Sequence, residues 1–403
     1  MPLDTGDTSF MLVATALVMI MTPGLAFFYG GLVSRKNVLA IMMQSYVSMG
    51  VSTILWVAVG YSLCFSGDVG GMGIIGNLDM AFLRGIEVTD LGGLNDTIPL
   101  LLFVVYQMMF AIITPALITG AFANRITFKA YLIFLVAWQI LVYYPFVHMI
   151  WGGGMLADWG VLDFAGGIVV HALAGMAALA SVIYVGKRRV EDAGAHNVPF
   201  VAIGAALLWF GWFGFNAGSE LAVDGVTAVA FINTQIAAAF AAITWLLLAW
   251  HYDGKPSFVE MLIGMIAGLA TITPAAGFVS PQSAMLIGVA AGAACYFAVV
   301  FRKKKGLDDA LDVWGVHGVG GALGIIMLGV LASESIGGQN GLYHGNQDFF
   351  MVQLAGLALA CVWAFAFTYG MLMMIDKVTP VRVSEEAEAA LDVTLHGESA
   401  YTD

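Results

Sequence analysis

Charge is what this sequence has little of. Only 10% of its 403 residues are Asp, Glu, Lys or Arg, while 60% are hydrophobic and the mean hydropathy is +0.90. A soluble domain carries about 25% charged residues, so a globule of this size would have too little polar surface to face water. That excludes a soluble protein. Cysteine is scarce too: Cys64, Cys295 and Cys361 lie in apolar stretches without metal-ligand spacing and read as small packing residues. A basic n-region is also missing. The first apolar run follows Asp4 and Asp7 and is long enough to be a span, so it reads as a membrane helix and not as a signal peptide. The net charge of −12 does not mark a basic partner, because acidic residues gather in one set of loops and in the tail after Val383. No nucleic-acid partner and no cofactor are expected.

Apolar runs and small residues are abundant. Forty-nine glycines and 22 methionines suit closely packed membrane helices. A helix needs about 20 mostly apolar residues to cross the hydrocarbon core. The runs that satisfy this are 9–33, 38–65, 98–123, 129–150, 165–186, 199–218, 226–250, 257–276, 281–301, 313–333 and 349–375. The chain therefore reads as an all-α polytopic membrane protein of eleven transmembrane helices. With the N-terminus outside, 14 of the 15 basic residues fall in or beside inner loops and the C-terminal tail, and only Arg84 falls outside. The positive-inside rule then predicts N-out and C-in. Five spans followed by five start from opposite sides, which predicts an inverted repeat with a substrate route at the midplane. The two halves cover about 9–186 and 199–333, with an extra span at 349–375. These spans make one unit of residues 1–376, and 377–403 form a cytoplasmic tail. A faint echo links Gly24–Gly31 in the first span with Phe210–Gly218 in the sixth, both aromatic–glycine stretches.

Ionisable residues inside a membrane are costly and therefore mark function. Span 5 opens Asp163-Phe-Ala-Gly-Gly-Ile-Val-Val-His171, and span 10 opens Asp312-Val-Trp-Gly-Val-His317. Both histidines lie inside apolar runs, in spans that are equivalent under the five-plus-five scheme. Three readings compete: two separate core histidines, a metal site, or a hydrogen-bonded pair lining a narrow pore. No Cys, Asp or Glu stands one turn away on either span, so no metal is expected. Asp312 reads as a helix cap. Asp163 reads as a cap, as part of a cation-attracting entrance, or as both. Trp151 ends span 4 at the outer interface, Phe110 lies within span 3, and Phe215 with Ser219 lies at the outer end of span 6. Each is an interfacial or core residue on the plain reading. Aromatic faces together with a hydroxyl also make a cation site.

These stretches resemble the Amt/MEP/Rh ammonium transporters, specifically the bacterial and archaeal Amt branch. The resemblance rests on Pro23–Gly31, Gly152–Gly154 with Asp163–His171, Gly211–Ser219, Thr273–Ala275, Asp308–His317 and the tail Leu391–Tyr401. It implies a homotrimer with one pore per subunit, carrying ammonium or ammonia across the cytoplasmic (inner) membrane. It further implies that His171 and His317 are the twin histidines of the pore, that Phe110 and Phe215 form a phenyl gate, and that Trp151, Ser219 and Phe110 make an outer ammonium site shaped by Asp163. Tyr106, one turn before Phe110, stands where phenylalanine is frequent and is expected to alter the polarity of that vestibule. The tail residues Asp392, His396, Gly397, Glu398 and Tyr401 are expected to pack beneath the trimer or to receive a PII-type regulator. The alternative function is an ammonium sensor on the same fold. An enzyme is not expected, because no nucleophile–base arrangement or phosphate-binding loop occurs.

Overall fold

The computed structural model describes residues 2–190 and 194–402. Among these, eleven helices are long and apolar enough to cross a membrane. They are span 1 (Thr5–Leu32), span 2 (Val38–Phe65), span 3 (Leu100–Ile118), span 4 (Phe128–Asp158), span 5 (Gly167–Val185), span 6 (Val198–Glu220), span 7 (Gly225–Asp253), span 8 (Phe258–Ala275), span 9 (Pro281–Lys305), span 10 (Trp314–Leu331) and span 11 (Gln347–Asp376). The expected count holds. The boundaries shift by a few residues, most at span 4, whose regular helix ends at Ile150 with Trp151 as its C-cap and is followed by a separate short helix, Met155–Asp158. Starts follow local chemistry. The Asp4 carboxylate accepts from Gly6 and Asp7 N–H, Asp224 and Thr227 cap span 7 reciprocally, and Ser257 caps span 8.

Spans 1 and 6 lie against each other along most of their length, and glycines on both helices allow it. A Cβ on Gly204 would stand 2.2 Å from Phe28 N, and one on Gly31 would stand 2.6 Å from Asn197 O. Backbones this close gain packing contacts that larger residues would block. Spans 5 and 10 cross more tightly still. A Cβ on Gly175 would lie 2.0 Å from the Gly318 Cα. Bulky aromatics, including Trp56, Trp138 and Trp245, are fully buried elsewhere in the interior.

The loops that carry the basic residues meet at one end, here called the inner end on charge grounds. Thr127 N–H donates to Val381 O at 2.9 Å, the His196 ring contacts Val33 O at 2.9 Å, and Asn37 Nδ2 donates to Glu388 O at 3.2 Å. Asp308 sits between two arginines: Arg188 grips it through Nε at 3.0 Å and Nη2 at 2.8 Å, and Arg125 Nη1 lies 3.6 Å away. Burial raises the Asp308 carboxyl, but the Arg188 bonds and the Arg125 charge outweigh it and hold the group down to about 2. Burial in turn pushes Arg125 down to about 10, against the pull of Asp308. Asp308→Ala should therefore leave Arg125 buried without its counter-charge, costing about 3 kcal/mol, the scale for breaking a buried ion pair. A thermal melt of the purified protein checks this. The folded carboxyl titrates below its unfolded value, so the wild-type contribution is present above about pH 4 and fades as pH falls toward 2. The variant should show no such acid-dependent loss.

Candidate functional site

Asp163 builds the outer edge of the site. Its Oδ1 accepts from Gly166 and Gly167 N–H at 3.0 and 2.6 Å, and its Oδ2 accepts from Ile168 and Val169 N–H at 2.7 and 3.1 Å. Four otherwise orphan amides at the start of span 5 are thus satisfied by one carboxylate. Burial raises the Asp163 carboxyl, and the four donors oppose that shift. The turn requires a left-handed residue, supplied by Gly166 at φ +112°. Trp151 Nε1 donates to the Asp163 carbonyl at 2.8 Å, so the indole is held against the same turn.

Beneath Trp151 the rings form a column. Trp151 meets Phe110 edge-on at 5.9 Å between centroids, Phe110 and Phe215 stand 4.4 Å apart, and Phe215 lies 6.0 Å from His171. His171 stacks on His317 at 5.2 Å, with Nδ1 to Nδ1 at 3.2 Å. Phe110 and Phe215 are each 1% exposed, so the column is shut between the vestibule and the histidines. Above it, a cavity of about 640 Å³ is lined by Trp151, Phe110, Asp163, Ser219, Gln107 and Glu220 among others. Below it, a narrow space of about 20 Å³ has Val170, Leu208, Trp212, Ile266 and Ile113 around His171 and His317. That is room for roughly one water.

Two local features place the histidines. Both lie in wide π-helical turns, Gly167–Ala172 and Trp314–Gly318, which re-aim side chains relative to a regular helix. The Gly175–Gly318 crossing then draws the two turns together, since Gly318 follows His317 directly and Gly175 is one turn beyond His171. An Nδ1–Nδ1 contact needs one donor and one acceptor, so the rings carry opposite tautomers. Of the two Nε2 atoms, one is then a donor and the other an acceptor. His171 Nε2 is buried without a partner among the described residues, and no third His, Cys, Asp or Glu joins the pair there.

Tyr106 is placed differently from the sequence expectation. It is fully buried and absent from the vestibule wall, because its hydroxyl turns into span 6. There it donates toward Gly214 O at 2.9 Å or Phe215 O at 3.1 Å and contacts Ser219 Oγ at 3.2 Å. It braces Ser219 from behind and does not face a solute. Asp312 also needs correction: its carboxylate forms an ion pair with Arg302 and does not cap span 10. The carboxylate that receives that helix start is Asp309, whose Oδ2 accepts from Trp314 N–H at 2.7 Å. Asp309 precedes His317 by eight residues, as Asp163 precedes His171. That equal spacing was the legible signal, and proximity to the apolar run pointed to Asp312 instead.

The tail docks on the chain's own inner loops. Asp392 Oδ1 accepts from Ala40 N–H at 2.8 Å, Tyr401 OH contacts His196 Nε2 at 2.8 Å, and the His396 ring lies 5.3 Å from Phe128. Gly397 closes the short tail helix at φ +68°, and Glu398 is exposed, joined through its backbone to Asp392 O at 3.2 Å. Asn37, His196 and Glu388 complete this dock, and the sequence reading had not singled them out.

Comparison with known proteins agrees across nearly the whole chain. The profile of the Ammonium Transporter Family matches residues 9–401. A Bacillus subtilis protein named ammonium transporter is 46% identical over 100% of this chain and 100% of its own. The crystal structure of Saccharomyces cerevisiae Mep2 is 33% identical, covers 95% of this chain and 88% of that one, and superposes with a TM-score of 0.88. A solved sensor Amt protein, 28% identical, covers 97% of this chain and 98% of that one at a TM-score of 0.89.

Proposed function

Because the chain belongs to the Ammonium Transporter Family, a family of transporters and not of enzymes, we propose that it recruits ammonium at the Trp151 vestibule, transfers one ammonium proton to the His171–His317 pair, and passes the remaining neutral ammonia and the relayed proton inward. The observation that carries this reading is a hydrogen-bonded histidine pair, 3.2 Å apart, as the main polar feature of an otherwise apolar space beneath a shut phenyl pair. A bare cation there would face an idealised desolvation cost of order 20 kcal/mol. Neutral ammonia avoids most of it. Outside, the Trp151 and Phe110 faces attract a cation by roughly 0.5–2 kcal/mol, and the Ser219 hydroxyl offers a lone pair. Potassium has no proton to yield and is refused at the gate on chemical grounds.

The same reading takes the chain as N-out and C-in, an inverted five-plus-five repeat of residues 1–376 with a regulatory tail 377–403, assembled as a homotrimer in the cytoplasmic membrane. The pairing of span 1 with span 6 and of span 5 with span 10 supports the repeat. A PII-type regulator at the inner face would meet the docked tail. A sensor role on the same fold has one observation in its favour, the likeness to the sensor Amt protein. The test is ammonium-evoked current from the purified chain in potassium-free proteoliposomes. Saturable current with ammonium and none with potassium is expected. Saturable binding without current would replace transport with sensing.

A further inference from the structure

The vestibule contains a carboxylate that neither the sequence reading nor the gate mechanism uses. Glu220 lines the outer cavity beside Ser219, at the end of span 6. It is half-buried, and among the described residues it forms no hydrogen bond or ion pair. The charge acting on it is the like-charged Asp224, whose Oδ1 caps span 7 by accepting from Val226 and Thr227 N–H. The backbone holds Glu220 in a single tight turn, Gly218–Glu220, closed by Leu221 in the left-handed region at φ +59°. A β-carbon residue in that region costs conformational energy, so the turn presents Glu220 at a fixed place. Asp163 is the other acidic side chain on the cavity wall, and its oxygens already accept four backbone amides. Of the two acidic residues lining this cavity, Glu220 is therefore the one whose carboxylate is not already engaged.

We infer that Glu220 is a further cation-binding residue of the outer site: an acidic acceptor that concentrates small ammonium cations beside Trp151 and Ser219 before they meet the gate. This rests on the transport reading above. A wet cavity mouth leaves the attraction partly screened, so the effect falls on half-saturation and on its salt dependence, not on passage through the column.

The experiment measures ammonium-evoked current of the full chain in proteoliposomes for wild type, Glu220→Gln, Glu220→Asp and Trp151→Leu, at low and high sodium chloride. Glu220→Gln is expected to raise half-saturation roughly three- to tenfold at low salt, the scale of one partly screened charge. The gap should shrink at high salt, while Glu220→Asp recovers most of the loss. Unchanged half-saturation in Glu220→Gln with a raised value in Trp151→Leu overturns the assignment and leaves the outer site standing. Unchanged values in both would remove the outer site itself, and Glu220 with it. Equal loss of maximal current in the Gln and Asp variants, without any change in half-saturation or salt response, would make Glu220 structural and also overturn the proposal.

Discussion

Replacing both His171 and His317 by alanine is expected to lower ammonium-evoked current by about a hundredfold or more, the usual scale for losing a positioned proton acceptor. Among the described residues, only the two imidazoles can take and return a proton in the space below Phe215, since the remaining wall there is apolar apart from the Trp212 indole, which donates to Thr273 Oγ1 at 2.9 Å, and the Tyr29 hydroxyl, which is turned to Leu117 O at 2.9 Å. The pair should act as a unit, because each ring's tautomer is set by the other through the 3.2 Å Nδ1 contact. Each single alanine variant should therefore lose nearly as much as the double, far from additive behaviour. Current and potassium rejection are measured on the same vesicles. A double variant with full ammonium current that still rejects potassium would refute the relay.

Gly175→Ala should be among the most damaging single-methyl additions at the described glycines. Alanine is ordinarily the better helix former by about 1 kcal/mol. Here its Cβ would stand 2.0 Å from Gly318 Cα and 2.1 Å from Gly318 N, backbone atoms that cannot rotate away. The expected cost is about 3 kcal/mol, the upper range of overpacking, and it separates spans 5 and 10 at the point where the histidines meet. A lower melting temperature with loss of current is the expected result. Gly370→Ala in span 11 is the counterpart, since a Cβ there meets nothing within 4 Å. Its melting temperature should be unchanged or slightly higher. Equal behaviour of the two variants would show that the crossing does not govern the site.

The two results together separate chemistry from placement. The histidine variants remove the groups and leave the crossing, while Gly175→Ala keeps both groups and moves them apart. The same division runs through the reading of this molecule. Hydropathy is a local property, and with about 20 residues needed per span it counted eleven helices directly from the chain. The bias of lysine and arginine between alternate loops is equally local, as is the cost of a histidine in an apolar run. Those three features, together with the resemblance carried by Asp163–His171 and Asp308–His317, located most of the candidate site.

What they could not supply was the meeting of residues far apart in the chain. His171 and His317 are 146 positions apart, and their contact depends on two π turns and a glycine crossing whose geometry no periodicity discloses. The same holds for the two misplaced side chains. Tyr106 stands on the expected turn of span 3, but its hydroxyl found the carbonyls of span 6 and turned away from the vestibule. Asp312 stands closer to the apolar run than Asp309, but Arg302 on span 9 captured it and left Asp309 to hold the helix start. Sequence determined which residues lie at membrane depth and near which end, because transfer from water to lipid acts on each segment separately. Tertiary structure alone decided which of them face a common space, because that depends on partners supplied by other helices.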